Sequence, residues 1–240
     1  MEIINLGNVT ANNYLLKIDG SLILIDTGYP GGFSAFCRKL QRNNINLSDI
    51  NYVVLTHAHD DHAGFLNEVL EGTNAKLVLH EKAVERLQIG HNLWIGGCPN
   101  LTAKVFVVGM GLFGKGRHEY PRVTIPRNAI TWDTKTQPFE EISIPLHLIA
   151  LPGHTADSIG VICEDESIFC GDAAMNQFPS IHRNIIWIEN IEEYRKSWDR
   201  MILTKTKYIY PSHGKPFMSR DLEKYRNELE RIKIRKVKSP

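Results

Sequence analysis

Apolar residues along this chain come in short runs, and most runs end in a polar or glycine-rich break. Tyr14-Leu15-Leu16-Lys17-Ile18 and Ser21-Leu22-Ile23-Leu24-Ile25 flank Asp19-Gly20. That pattern predicts a β-hairpin, because a type I′ turn needs positive φ at both central residues. Phe33, Phe36 and Leu40 recur at helical spacing and predict a helix over roughly 33–43. Asn51-Tyr52-Val53-Val54-Leu55-Thr56 reads as a short buried strand ending at His57. Phe65, Leu66, Val69 and Leu70 mark a helix, which puts Asp61 and His62 near its start. Lys76-Leu77-Val78-Leu79 is a further strand, followed by a helix near 81–88.

Residues 90–138 break the regularity with many glycines and prolines and with Trp94, Phe106, Phe113 and Tyr120. Long irregular segments in compact domains are more often functional than accidental, so this stretch is expected to be an insertion or lid beside the site. Within it, Gly109-Met110-Gly111-Leu112-Phe113-Gly114 matches G-x-G-x-x-G after an apolar run, Val105-Phe106-Val107-Val108, that reads as a strand. A dinucleotide site also needs a helix opening at the third glycine, and Lys115-Gly116-Arg117-His118-Glu119-Tyr120-Pro121 is a poor helix former. The match is read as chance.

The second half repeats the theme of a strand followed by a polar residue. Leu146–Leu151 leads to Pro152-Gly153-His154-Thr155. Ile159–Cys163 and Ser167–Cys170 form a second hairpin around Glu164-Asp165-Glu166, ending in Gly171-Asp172. Asn190 is expected to cap a helix carrying Tyr194, Trp198, Met201 and Ile202, with Glu193 completing a capping box. Tyr208-Ile209-Tyr210-Pro211 is a last strand before Ser212-His213-Gly214. A final amphipathic helix carries Leu222, Tyr225, Leu229 and Ile232, then a basic tail, Arg235-Lys236-Val237-Lys238. No linker separates two independent domains, so residues 1–240 are expected to form a single domain.

Composition narrows the class. The chain has 240 residues, 42% hydrophobic and 23% charged, which suits a folded protein with a substantial core. A formal net charge of +1 gives no basic field for nucleic acid. No stretch is long enough to span a membrane, and the start lacks the pattern of a secretory signal. The expectation is therefore a cytoplasmic protein acting on a small molecule, with neither nucleic acid nor membrane as partner. Cys37, Cys98, Cys163 and Cys170 are scattered without a C-x-x-C pair, which fits packed thiols in a reducing compartment.

The chemistry lies in His57-Ala58-His59-Asp60-Asp61-His62, an H-x-H-x-D-H loop. Neutral imidazoles and carboxylates are good ligands for zinc and similar divalent metals. A hydrophobic core has no use for such a cluster, since each polar group would need a partner. His154, Asp172 and His213 each follow a predicted strand and add to it. Five histidines and two aspartates suffice for two metals sharing a carboxylate. The remaining histidines, His80, His91, His118, His147 and His182, lack partners at ligand spacing. Of these, His118 and His182 are the two expected to border the cleft if any does.

These pieces resemble the metallo-β-lactamase-fold hydrolases. The resemblance rests on Asn13-Tyr14-Leu15-Leu16, Leu24-Ile25-Asp26-Thr27-Gly28, the H-x-H-x-D-H loop, Pro152-Gly153-His154-Thr155, Gly171-Asp172-Ala173 and Ser212-His213-Gly214, in the family's order. It implies an α/β (α+β) fold, a four-layer αββα sandwich of two mixed β-sheets flanked by helices. It implies that His57, His59 and His154 hold a first metal, that Asp61, His62 and His213 hold a second, and that Asp172 bridges them. Asp26 resembles the family's buried aspartate that orients the ligand loop. Two divalent ions are implied, zinc foremost, with iron or manganese as alternatives. A hydroxide shared by the metals would attack the substrate, with Asp61 helping to orient it.

The bridging Asp172 argues against a true β-lactamase. The short stretch after His213 is expected to exclude the helical domain of a full glyoxalase II. The expectation is a glyoxalase II-like or lactonase-like binuclear hydrolase of an ester, lactone or thioester. The rival readings are a sulfur dioxygenase of the same fold using one iron, a phosphodiesterase, and a non-catalytic metal-binding module.

Overall fold

Two mixed β-sheets, each with its own helices and core, organise the chain. The computed structural model describes residues 1–113 and 116–237. The third glycine of the G-x-G-x-x-G match (Gly114), Lys115 and the tail residue Lys238 lie outside the described residues. The chain divides into two compact units, one of residues 1–92 and 119–147, the other of residues 93–118 and 148–240.

The first unit is built on a six-stranded sheet in the order β1-β2-β3-β4-β5-β6. Its strands are β1 (Glu2–Asn5), β2 (Tyr14–Ile18), β3 (Ser21–Ile25), β4 (Tyr52–Val54), β5 (Lys76–His80) and β6 (Ile130–Trp132). β1, β2 and β3 pair antiparallel, and β3 to β6 pair parallel. The expected hairpin closes at Ile18 opposite Ser21, and Asp19 (φ 47°) and Gly20 (φ 79°) both take positive φ. Val53 and Val54 are buried to 0% exposure on adjacent positions of β4, as a parallel strand covered on both faces requires.

The helices of this unit are α1 (Phe33–Arg42), α2 (Asp60–Ala63), α3 (Leu66–Glu71) and α4 (Ala83–Ile89). α1 opens at Gly32 without a side-chain cap, so its stability comes from the face that it buries. Phe36 and Leu40 on that face join Leu15, Leu24, Val53, Leu66 and Leu77 in one core. Each such side chain contributes about 1.5–3 kcal/mol when buried.

The second unit contains α5 (Leu101–Leu112), a five-stranded sheet, α6 (Ile191–Leu203) and α7 (Arg220–Tyr225). Its sheet order is β11-β10-β9-β8-β7. The strands are β7 (Leu146–Ala150), β8 (Ile159–Cys163), β9 (Ser167–Gly171), β10 (Tyr208–Pro211) and β11 (Phe217–Met218). β9 pairs antiparallel with β8 and parallel with β10. Asn190 caps α6 as expected, its side chain accepting from the Glu192 and Glu193 amides at 3.0 and 3.2 Å. The Glu193 carboxylate accepts from Lys196 Nζ at 2.8 Å. Tyr194, Trp198 and Met201 of α6 pack with Leu151, Ile168 and Ile209 in the core of this unit.

The structure departs from the sequence expectation in three places. Val105–Val108 is helical, inside α5, and so no strand precedes the G-x-G-x-x-G glycines. The helix that contains this run is twelve residues long, longer than a typical strand. Asn100 starts it as a helix, its side chain accepting from the Ala103 amide at 2.9 Å. The 90–138 stretch is also less irregular than expected, since β6 pairs with β5. The last helix ends at Tyr225. Leu229 lies in a 3-10 turn, and Ile232 beyond it is extended.

Candidate metal centre

Among the described residues, those offering ligand atoms suited to a metal are His57, His59, Asp61 and His62 in the first unit and His154, Asp172 and His213 in the second. In the first unit the construction begins at Asp26, directly after β3. Its backbone is left-handed (φ 60°), a conformation that Asp and Asn tolerate better than most residues. Its buried carboxylate accepts from the Thr56 amide at 2.7 Å, from Thr56 Oγ1 at 2.8 Å and from His62 Nδ1 at 2.8 Å.

Those contacts set the tautomers of two rings. An ionised carboxylate only accepts, so His62 carries its proton on Nδ1 and presents the Nε2 lone pair. Thr56 has one hydroxyl hydrogen, and it goes to Asp26. The Thr56 oxygen, 3.1 Å from His57 Nδ1, therefore accepts from that ring, leaving His57 Nε2 as the ligand atom.

The loop is held from outside as well. Asn92 accepts from the Asp60 amide at 2.9 Å and donates to the Asp60 carboxylate at 2.7 Å. The Tyr120 hydroxyl lies 3.1 Å from both the Ala58 and Arg86 carbonyls. The resulting donor pairs are His57 Nε2 and His59 Nδ1, 3.2 Å apart, and His62 Nε2 and Asp61 Oδ1, 3.5 Å apart.

In the second unit, His154 follows β7, Asp172 follows β9 directly, and His213 follows β10. Glycine is required beside two of them. Gly153 has φ 134°, and a Cβ there would lie 2.3 Å from the Tyr194 amide nitrogen. Gly214 has φ 91°, and its Cβ would lie 2.1 Å from the Asn176 carbonyl oxygen. The Asn176 amide donates to the His213 carbonyl at 2.9 Å, which fixes the His213 backbone. His154 Nδ1 lies 2.8 Å from the Trp187 carbonyl. A carbonyl only accepts, so His154 also presents Nε2 as its ligand atom. Asp172 Oδ2 sits 3.4 Å from His154 Nε2 and 3.4 Å from His213 Nε2.

These separations fit metal coordination. Two ligand atoms on one zinc at ordinary bond lengths and a tetrahedral angle lie ~3.3–3.4 Å apart. Each unit supplies two pairs near that spacing, and the two pairs of the second unit share one carboxylate oxygen. The set of imidazoles and carboxylates suits zinc, iron or manganese.

Residue type does not mark Thr56, Asn92 or Trp187 as part of the site, and Tyr120, which looks exposed among the aromatics of the 90–138 stretch, is buried. Thr56 carried a signal in its position, a hydroxyl residue immediately before the first ligand. Trp187 carried none, because its backbone carbonyl makes the contact. Of the other histidines, His147 pairs with Glu140 at 3.1 Å, and His80 Nδ1 accepts from the Lys82 amide at 3.1 Å. His118 lies 5.8 Å from Trp94, ring to ring. His182 stacks on Tyr225 at 4.7 Å, beside a cavity of about 290 Å³.

Comparison with known proteins places these features in a family. The sequence model of the metallo-beta-lactamase superfamily matches residues 6–213. A Methanocaldococcus jannaschii protein described as a probable metallo-hydrolase is 31% identical over 163 residues, covering 68% of this chain and 66% of its own length. The Drosophila melanogaster beta-lactamase-like protein 2 homolog is 24% identical over 206 residues, covering 85% of this chain and 58% of its own length. The chain thus spans less than two thirds of the length of these relatives. Among solved structures, a HARLDQ-motif mutant of a Cronobacter sakazakii metallo-beta-lactamase superposes with TM-score 0.68 at 17% identity, over 95% of this chain and 90% of its own. An archaeal superfamily protein from Sulfolobus tokodaii superposes with TM-score 0.63 at 18% identity, over 95% and 84%. The two mixed sheets flanked by helices are the fold of those structures, and the chain belongs to the metallo-beta-lactamase superfamily.

Proposed function

We propose that this chain is a binuclear metal-dependent hydrolase that cleaves an ester, lactone or thioester bond of a small molecule. The observation that carries the proposal is the equal 3.4 Å spacing of Asp172 Oδ2 from His154 Nε2 and from His213 Nε2. One oxygen at ligand spacing from two imidazoles is what a carboxylate shared by two ions requires. His57, His59 and His154 would hold one ion, Asp61, His62 and His213 the other, and Asp172 both. Membership of the superfamily and the likeness to a metallo-hydrolase support this division.

When bound, two divalent ions supply Lewis acidity and a water acidified enough to ionise near neutral pH. The chain's own residues do the rest. Asp26, through His62 and through Thr56 to His57, fixes which ring nitrogen faces the metal before it arrives. The Trp187 carbonyl does the same for His154. Asp61 is 12% exposed where His62 is 1%, so its carboxylate is the acidic group open to an attacking water, which it would orient. No serine or cysteine nucleophile is needed.

We place the protein in the cytoplasm on the strength of its cysteines. Cys37, Cys98, Cys163 and Cys170 are all free thiols, as a reducing compartment allows. Among the described residues, no helix is long and apolar enough to cross a membrane.

The test is hydrolysis of a panel of esters, lactones, thioesters and phosphodiesters by protein loaded with zinc, manganese or iron. Turnover of a carboxylic ester, lactone or thioester with two ions bound is expected. Oxygen uptake with a single bound iron, or turnover confined to phosphodiesters, would contradict the proposal.

A further inference from the structure

α5 is the anomaly of the second unit. Leu101, Val105, Val108 and Leu112 recur along one helical face, yet they are 63, 64, 40 and 82% exposed. Phe113, the residue that ends the helix, is 86% exposed. A surface helix ordinarily turns such a stripe inward. Here only Ala103 of α5 is buried, and a Cβ at Gly109 or Gly111 would meet nothing within 4 Å. Contiguous apolar surface of this kind marks an interaction site.

The segment is firmly rooted at its base. Trp94 and His118, near its two ends, lie 5.8 Å apart ring to ring. Trp94 packs edge-on to Trp187 at 5.2 Å, and the Trp187 indole donates to the Ile95 carbonyl at 2.7 Å. Phe106 meets Phe178 edge-on at 6.1 Å. α5 is therefore held along one side, where Phe106 and Met110 are half-buried, and its most exposed large side chains, Leu112 and Phe113, are at its C-terminal end.

Charge identifies the occupant. No Asp or Glu occurs between Glu85 and Glu119, although the chain as a whole carries 27 acidic residues. Lys104, Lys115 and Arg117 fall inside that stretch. The charged residues between Glu85 and Glu119 are thus all cationic, and an apolar helix face within such a stretch matches the interface of an anionic bilayer, where acyl chains take the apolar face and headgroups pair with lysine and arginine. Two copies packed through this face would instead set like charges side by side.

We propose that α5 docks the protein onto anionic membranes, with Leu112 and Phe113 entering the bilayer interface and Lys104 and Arg117 meeting the headgroups. This departs from the expectation of no membrane partner, which rested on spanning segments and net charge. It stands independently of the metal centre.

The test is flotation of the full chain with vesicles of phosphatidylcholine alone and of phosphatidylcholine with phosphatidylglycerol. The Leu112→Glu/Phe113→Glu variant is compared after circular dichroism confirms that it folds. Both positions are exposed, so folding is expected to be preserved. Binding should require phosphatidylglycerol and should fall roughly hundredfold in the variant, about tenfold for each lost apolar anchor. Absence of binding, or binding that the variant leaves unchanged, would overturn the proposal. So would light scattering that shows a dimer which the variant dissociates while vesicles bind neither protein.

Discussion

His62 Nδ1 lies 2.8 Å from Asp26 Oδ2, with both side chains only 1% exposed. The aspartate sits after one strand and the histidine in the loop after another, so the contact ties β3 to the ligand loop. Thr56 completes the arrangement by linking the same carboxylate to His57. Asp26→Asn keeps the side-chain shape and tolerates the left-handed backbone, but it removes the charge and one acceptor. Metal affinity is expected to fall about 10–100-fold, the usual effect of losing a group that orients a ligand. Titration of metal-free protein with zinc against a chromophoric chelator measures it. Unchanged affinity would remove Asp26 from the account.

Thr56 is the second positioning residue, and its hydroxyl is separable from its bulk. Thr56→Val leaves the Asp26 carboxylate short of one donor and His57 Nδ1 short of its acceptor. Stability should drop by about 1–3 kcal/mol, read by urea unfolding of the metal-free protein. Thr56→Ser should restore both stability and metal affinity, which a purely steric role for the methyl group would not allow.

The sequence exposed those parts of the site that depend on residue type, and hid those that depend on backbone. H-x-H-x-D-H stands out because five polar residues in one loop have no role in a core. His154, Asp172 and His213 could be picked out because each ends an apolar run. The tautomer control by the Trp187 carbonyl left no trace in residue type, since any residue has a carbonyl. Val105–Val108 reads as a strand in sequence because four adjacent apolar residues fit either period, and the length of α5 and its Asn100 cap decide for helix. Short strands such as β1, β6 and β11 depend on distant partners rather than on local pattern, and so leave no signal in the sequence.

The glycine before His154 is testable as geometry. Gly153→Ala would place a Cβ 2.3 Å from the Tyr194 amide nitrogen and force an alanine to φ 134°. The variant should lose on the order of 3 kcal/mol of stability. It should also bind less metal, because His154 shifts with its backbone. Alanine at Gly20, where φ is 79° but nothing lies within 4 Å, should cost less and leave metal binding intact.

Alkaline pH should weaken the fold through a buried thiol. Burial pushes the Cys98 pKa up from 9.0 to about 11, with Lys104 opposing. The unfolded chain releases that proton first, so the stability is fully present below pH 9.0 and is lost as pH rises toward about 11. Unfolding free energies measured across that window should decline, and Cys98→Ala should flatten the decline. An identical slope in the variant would show that other groups control it.

Metal stoichiometry tests the binuclear reading most directly. Protein purified without added metal should carry two divalent ions per chain by plasma emission spectrometry. Asp172→Ala should retain fewer than two and lose turnover by more than about hundredfold, since the group removed is proposed to ligate both ions. A single iron per chain in the parent protein, or an Asp172→Ala variant with full metal and full activity, would contradict the shared-carboxylate centre.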